Sequence, residues 1–313
     1  MNRFSSNYSS NPALDYPDWS RERLSVLSHA QLNRDKLERK LAHYETTADN
    51  IIVEIKDPRH LTLPERNSLL RGIRKFSFII YHCRLVSFSK SDLKALGMQL
   101  GLNRIDGNFC ADANSISSLR DSTEGIRSRY IPYTNQPLGW HTDGYYNGAD
   151  KLIRSFILHC VTPAPDGGTN QFLDPDIVFL LLNNIDEELP AALSDPESFT
   201  IPADNEQTGG NQPGRSGPVY FIDAVTGSLH MRYTARQRNI TWNPDPAIRK
   251  AAIQLKEVIE GASQYTLTHK LEAGQGMICN NVLHRRTGFV NGESTRLQRL
   301  FYRARYYDRV LGT

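Results

Sequence analysis

The sequence predicts a fold that is mainly β with flanking helices, the core being a β-sandwich or barrel. Three observations predict it. Short apolar runs of β type outnumber helical patterns, they do not alternate with helices as a parallel α/β sheet requires, and no internal repeat is visible. The chain has 313 residues, 39% hydrophobic and 23% charged, which is long enough to bury a core and excludes disordered, collagenous and coiled-coil classes.

Residues 1–20 are rich in Ser, Asn and Pro and lack an apolar stretch, so they read as a poorly ordered tail and not as a secretory signal. A single domain is expected over residues 21–313. Apolar residues recur at helical spacing over 21–45, and residues 51–55 form a short strand. Leu63-Pro64-Glu65 opens a helix, since a proline in the first turn loses no hydrogen bond. Residues 76–81 are of β type, and a Ser91-Asp92 cap starts a helix over 91–100. Residues 101–136 read as loops and short strands, 152–161 as a long strand ended by Gly167-Gly168, and 174–184 as a helix. The Pro-, Gly- and Asn-rich stretch 194–218 predicts a loop or lid. A hairpin follows over 219–222 and 229–233, turning at Thr226-Gly227. Ile248, Ala252, Leu255 and Ile259 share one face of a helix over 245–259, and residues 277–279 and 297–306 are the closing strands.

Charge and cysteines narrow the partners. A net charge of +3, from 37 basic and 34 acidic residues, is too small a bias for a nucleic-acid binder. The longest apolar run, 177–182, is far short of the ~20 residues a membrane helix needs. Cys83, Cys110, Cys160 and Cys279 form no CxxC pair, which predicts reduced thiols in a cytoplasmic protein. A small-molecule partner is expected, with homo-oligomerisation left open. One local bias stands out: seven arginines and no lysine lie between Arg285 and Arg309.

The sharpest motif is Trp140-His141-Thr142-Asp143. On an extended segment residues i and i+2 point the same way, so His141 and Asp143 can hold one ion together. His284 follows a β-type run further on. Two histidines and one carboxylate leave coordination positions open, the pattern of non-haem Fe(II) oxygenases. HxD pairs also arise by chance, and His159 on the strand 152–161 is a rival that reads better as a core residue. The arginines strengthen the metal reading. Arg299 and Arg303, four residues apart on a strand, share a face, and a buried guanidinium suits a carboxylate bidentately. Such an arginine would hold the far carboxylate of a dicarboxylic co-substrate such as 2-oxoglutarate.

Taken together, WHTDGYYN (140–147), CVTPAPDGGTNQF (160–172), NNVLHRRTGF (280–289) and RLFYR (299–303) resemble the taurine dioxygenase (TauD/TfdA-like) family of Fe(II)/2-oxoglutarate oxygenases, over about 101–309. The resemblance implies a double-stranded β-helix, the jelly-roll of clavaminate synthase-like proteins. It implies His141, Asp143 and His284 as iron ligands and Arg299 on the distal carboxylate of 2-oxoglutarate, with Arg296 a rival because the turn after the distal histidine varies in length. Arg303 would face the chelating end of the co-substrate or an anionic substrate. Asn170 stands where the family often has Thr or Ser, and Thr169 precedes it, so either could contact the co-substrate. Tyr145, Tyr146, Asn147 and Arg232 are candidates for the substrate pocket. The implied reaction consumes O2 and 2-oxoglutarate, releases succinate and CO2, and hydroxylates a small polar or acidic metabolite; retention of the Asp143 carboxylate argues against halogenation. Two other readings are open: a zinc hydrolase using the same triad, and a non-catalytic protein whose arginines form a basic surface.

Overall fold

The computed structural model describes residues 51–313 except 86, 108–109, 204–213 and 295–296, together with residues 26, 28, 34–35, 37–42 and 44. Ten segments build the two larger sheets. One is six-stranded, ordered β1 (Ile52–Ile55), β2 (Phe78–Cys83), β14 (Gln275–Cys279), β5 (Ser155–Thr162), β17 (Leu300–Tyr306) and β3 (Ser117–Leu119). The other is four-stranded, ordered β13 (Leu267–His269), β7 (Asn170–Leu173), β15 (Leu283–Arg286) and β4 (Leu138–His141). Smaller pairings join β12 (Thr241–Trp242), β8 (Phe199–Ile201) and β9 (Arg215–Gly217), the hairpin β10 (Tyr220–Ile222) with β11 (Leu229–Met231), and β6 (Asp166–Gly167) with β16 (Phe289–Val290). Within the two larger sheets β1–β2 is the parallel pair; the other ladders are antiparallel.

Period-two alternation explains how the six-stranded sheet is buried on both faces. Phe78 and Ile80 of β2, Phe156 and Leu158 of β5, Met277 and Cys279 of β14 and Phe301 of β17 enter one cluster with Phe172 of β7. That cluster is the space between the two larger sheets, and Phe78 meets Phe172 there at 5.8 Å between ring centroids. The intervening residues, Ile79, Tyr81, Ile157, Ile278, Ala304 and Tyr306, pack instead against α1 (Leu63–Phe76) and α2 (Lys90–Gln99). A third cluster joins α3 (Pro175–Ile185), α4 (Glu188–Leu193) and α5 (Pro246–Gly261) to β10 and β11. Among the described residues no helix is long and apolar enough to cross a membrane.

The element expectations hold with local differences. α1 begins as expected, with a capping box of Thr62 and Glu65. In α2 the cap is Ser89, and Asp92 is its reciprocal partner, so the helix starts one residue before the expected Ser91-Asp92 cap. On α5 the buried stripe is Ile248, Ala251, Leu255 and Ile259; Ala252 is only half-buried. The stretch 194–218 is not simply a loop, because its described ends pair as β8 and β9; residues 204–213, and with them most of the expected lid, lie outside the described residues. So does the expected tail, 1–20. The described residues between 26 and 44 are helical. Lys40 fastens this segment, its Nζ lying 2.5 Å from Asp174 Oδ2 and 2.6 Å from Asp176 Oδ2 and donating to Ser77 Oγ at 2.8 Å.

Candidate active site

The site grows from one ladder. β15 pairs antiparallel with β4 so that His284 lies opposite His141, and both side chains emerge on the same face with ring centroids 4.1 Å apart. β4 ends at His141, and the chain turns through Thr142 to Asp143. One ligand atom from each of His141, Asp143 and His284 lies within 4.8 Å of the others. Asp143 Oδ1 is 3.7 Å from His141 Nε2 and 3.9 Å from His284 Nε2.

Each ligand is pre-set by a hydrogen bond at its back. His141 Nδ1 contacts the Gly139 carbonyl at 2.9 Å and His284 Nδ1 the Val282 carbonyl at 3.0 Å, which places the ring protons on Nδ1 and leaves both Nε2 lone pairs facing Asp143. Burial, then the neighbouring His141, pushes His284 down to about 3, so the ring is neutral. Asp143 is buried, and burial alone would raise its pKa. The charge of Arg303 foremost, with that of Arg305, outweighs burial and holds the carboxyl well below its usual range. Its second oxygen, Oδ2, is buried with no hydrogen-bond partner.

Asn281 locks the aspartate in place. Its Oδ1 accepts from the Asp143 backbone N–H at 2.8 Å, and its Nδ2 donates to the Asp143 carbonyl at 2.9 Å and the Ile153 carbonyl at 2.6 Å. Asn281 itself has φ of 51°, a left-handed conformation that asparagine tolerates better than most residues.

The arginines within and just before β17 face inward. Arg299, Arg303 and Arg305 are buried, which removes them from any basic outer surface. Arg303 Nη1 donates to Asp143 Oδ1 at 3.3 Å, while its Nε is buried without a partner. Arg299 is 3% exposed, its guanidinium 3.9 Å from the Phe301 ring centroid and 5.0 Å from that of Phe289. No carboxylate pairs with it among the described residues, and burial followed by the charge of Arg286 pushes it down to about 9. A buried guanidinium in that state is a receptor for an anion. Gly168, with φ of 72°, brings the β6–β7 turn over it; a Cβ there would stand 3.8 Å from Arg299 Nε.

Asn170, buried at the start of β7, pairs in register with Arg286 and donates from Nδ2 to the Gly168 carbonyl at 3.4 Å. Thr169 is held through its backbone by Thr287, donating to Thr287 Oγ1 at 3.0 Å and accepting from the Thr287 N–H at 2.9 Å. Arg296 lies outside the described residues. Beyond Asp143, the Tyr145 and Tyr146 rings meet edge-on at 5.1 Å; the Tyr145 carbonyl accepts from Arg232 Nε at 2.7 Å, and Tyr146 OH accepts from Arg305 Nη1 at 2.8 Å. Asn147 Nδ2 is turned back onto the Lys151 carbonyl at 2.7 Å. Arg305 also makes a buried ion pair with Asp106, and Tyr307 OH donates to the same carboxylate at 2.8 Å. His159 is not among the triad: it stacks between Tyr81 and Phe88 on the opposite face of β5 and receives a contact from Tyr81 OH at 3.0 Å.

Asn281, Arg286, Asp106 and Arg305 are site residues not singled out in the sequence, and the last two tie in Tyr146, which was. The signal available for Asn281 is an Asn-Asn pair interrupting an apolar run just before the histidine.

This arrangement is that of a metal-centred oxygenase, and comparison with known proteins places it in a family. Residues 41–302 match the taurine catabolism dioxygenase TauD, TfdA family, and the chain belongs to it. A uridine-5'-phosphate dioxygenase from Amycolatopsis sp is 29% identical over 150 residues, 45% of this chain and 50% of that protein, so the match spans half the relative's length. Among solved structures, asparagine oxygenase with Fe(II), 2S,3S-3-hydroxyasparagine and succinate shares the fold with a TM-score of 0.56 at 16% identity, over 88% of this chain and 91% of that one. A taurine dioxygenase from Burkholderia xenovorans gives 0.54 at 16% identity, covering 82% and 86%. The non-haem iron oxygenase OrfP with Fe, succinate and (3S)-hydroxy-L-Arg gives 0.59 at 14% identity, covering 79% and 81%.

Proposed function

We propose that the chain is an Fe(II)- and 2-oxoglutarate-dependent dioxygenase that hydroxylates a small polar or acidic metabolite, releasing succinate and CO2. The observation that carries this is the pairing of a pre-set His141, Asp143, His284 cluster with Arg299, buried just before β17 and with no carboxylate partner among the described residues. A zinc hydrolase would need the first and has no use for the second.

The residues fit the metal. Two imidazoles whose Nε2 atoms face Asp143 and a carboxylate with an unsatisfied Oδ2 suit Fe(II), the carboxylate offsetting half its charge. When bound, Fe(II) with 2-oxoglutarate and O2 supplies oxidative decarboxylation of the 2-oxo acid coupled to oxygen insertion into a C–H bond. The chain does the rest. His141, Asp143 and His284 hold the ion from one side, and Asn281 keeps Asp143 from swinging away. Arg299 grips the distal carboxylate of 2-oxoglutarate, with Asn170 or Thr169 as the neighbouring polar contact. Arg303 neutralises Asp143 and lies ready for the chelating end of the co-substrate or an anionic substrate. Tyr145, Tyr146 and Asn147 border the substrate space.

An acidic substrate accords with the uridine-5'-phosphate relative, whose named substrate is an anion. We read the two larger sheets with their shared apolar interior as a double-stranded β-helix in a single oxygenase domain over residues 21–313. A cytoplasmic location is supported by four free, buried cysteines.

The test is anaerobic titration of the full chain with Fe(II) and 2-oxoglutarate, followed by the weak visible band of the chelate. Wild type should develop it, His141→Ala should not, and Arg299→Ala should require far more 2-oxoglutarate. No band in wild type overturns the reading. Stimulation of succinate release by members of a carboxylate, phosphate and amino-acid panel identifies the substrate.

A further inference from the structure

Asn147, Leu152, Arg215, Gly217, Phe221 and Arg232 line a partly open cavity of about 140 Å³. One water needs only ~10–15 Å³ by such a measure, so this space takes a larger group. Its outer wall, from Asn147 to Leu152, continues the chain directly from Asp143 and the tyrosine pair.

Two guanidinium groups border the cavity. Arg232 is 6% exposed, with Nε and Nη2 donating to the Tyr145 and Arg215 carbonyls at 2.7 and 3.0 Å. Its Nη1 is buried with no partner, lying where a Cβ on Gly217 would come within 2.7 Å. The Nε of Arg215 is likewise buried and unpartnered, and its Nη1 lies over Gly148, 2.5 Å from where a Cβ would stand. Glycine at 148 and 217 therefore gives both guanidiniums their room. Neither makes an ion pair within 4.0 Å of a carboxylate among the described residues; the exposed Asp150 also reaches over Gly148 but stays beyond that distance. Burial, then the charge of Arg215, pushes Arg232 down to about 10. Two like charges sharing a cavity, with donors left over and no carboxylate within ion-pair distance among the described residues, cost free energy that an anion in the cavity would recover.

We propose that Arg215 and Arg232 form a subsite for an oxyanion carried by the primary substrate, a phosphate or carboxylate group, distinct from the co-substrate site at Arg299. This rests on the oxygenase reading for the word substrate, but the anion site itself does not. Arg232, tied to two carbonyls, builds the wall; Arg215, half-buried, is the arm that meets the ligand.

Calorimetric titration of inorganic phosphate, and separately of acetate, into the metal-free full chain tests it, using wild type, Arg215→Gln and Arg299→Ala. One of the two anions should bind wild type, bind Arg215→Gln ~10-fold or more weakly, the equivalent of one lost charged contact, and bind Arg299→Ala as wild type does. Thermal melting of Arg215→Gln checks that the fold is intact. Absence of binding to wild type, or binding lost in Arg299→Ala and kept in Arg215→Gln, overturns the subsite. The Fe(II)–2-oxoglutarate band of wild type is read separately. A normal band with no anion binding overturns the subsite alone; anion binding with no band overturns its assignment to a substrate.

Discussion

A buried polar side chain is informative in proportion to what it lacks. Among the described residues Asp143 Oδ2 has no donor and Arg299 no carboxylate, and each names the charge it would receive. Replacing Arg299 by Ala should cost about 2–5 kcal/mol of 2-oxoglutarate binding, measured as a rise in KM with little change in the melting temperature. Asn281→Ala is the complementary case. It strips the Asp143 N–H and carbonyl of their partners, so stability should fall by about 1–3 kcal/mol for each buried group left unpaired. Fe(II) affinity, followed by equilibrium dialysis, should fall about 10–100-fold, as for other residues that orient a ligand. Dialysis showing unchanged affinity in a folded Asn281→Ala protein would remove its positioning role. At this scale the sequence was legible where pattern is local. His141 and Asp143 are two positions apart, and Arg299 and Arg303 four apart, although the strand expected over 297–306 begins at Leu300 and leaves Arg299 just outside it. Asn281 and Arg305 were not legible, because their partners are 138 and 199 positions away and nothing nearby marks the meeting.

Elements carry the site through ladders and clamps. The His284–His141 register depends on β15 lying between β7 and β4, three short strands that the apolar runs alone do not announce, since their exposed neighbours are polar. Helices were easier to read, having caps such as Thr62–Glu65 and Asp245 written beside them. The loop between β4 and β5 ends in Arg154, whose Nε and Nη2 donate to the two oxygens of Asp223 at 2.5 and 2.8 Å while Nη1 reaches the Tyr307 carbonyl at 2.8 Å. This pair ties the β10–β11 turn to the end of β17. Arg154→Ala should destabilise the fold by about 3–5 kcal/mol in urea unfolding, because it leaves the buried Asp223 without its cation, held only by Thr226 and the Val225 N–H. Arg154→Met with Asp223→Leu should recover much of that loss.

For the molecule as a whole, pH dependence follows from the carboxylates. In Asp92, Asp112, Asp223 and Asp308, burial pushes the pKa up, yet hydrogen bonds and neighbouring cations hold each below the ordinary 3.8. A carboxyl whose folded pKa is depressed contributes stability above its unfolded value, and the contribution disappears as pH falls through the folded pKa. The urea midpoint should therefore hold near pH 5 and drop steeply below about pH 4, and more shallowly in Arg154→Met/Asp223→Leu. An acid profile identical in the two proteins would exclude Asp223 from that set.

The alternation along β17 has an evolutionary side. Phe301, Arg303 and Arg305 point between the sheets, and Tyr302, Ala304 and Tyr306 pack toward the helices, so one strand spells two messages in interleaved letters. A one-residue slip of this strand in its ladder would exchange them, sending guanidiniums into the oily layer and tyrosines toward the triad. Related chains can therefore vary in the turn before this strand, but changes within the strand must keep its phase or be absorbed in a bulge such as the irregularity at Leu300–Phe301. Parity, more than spacing, is what this hinge of the enzyme has to inherit.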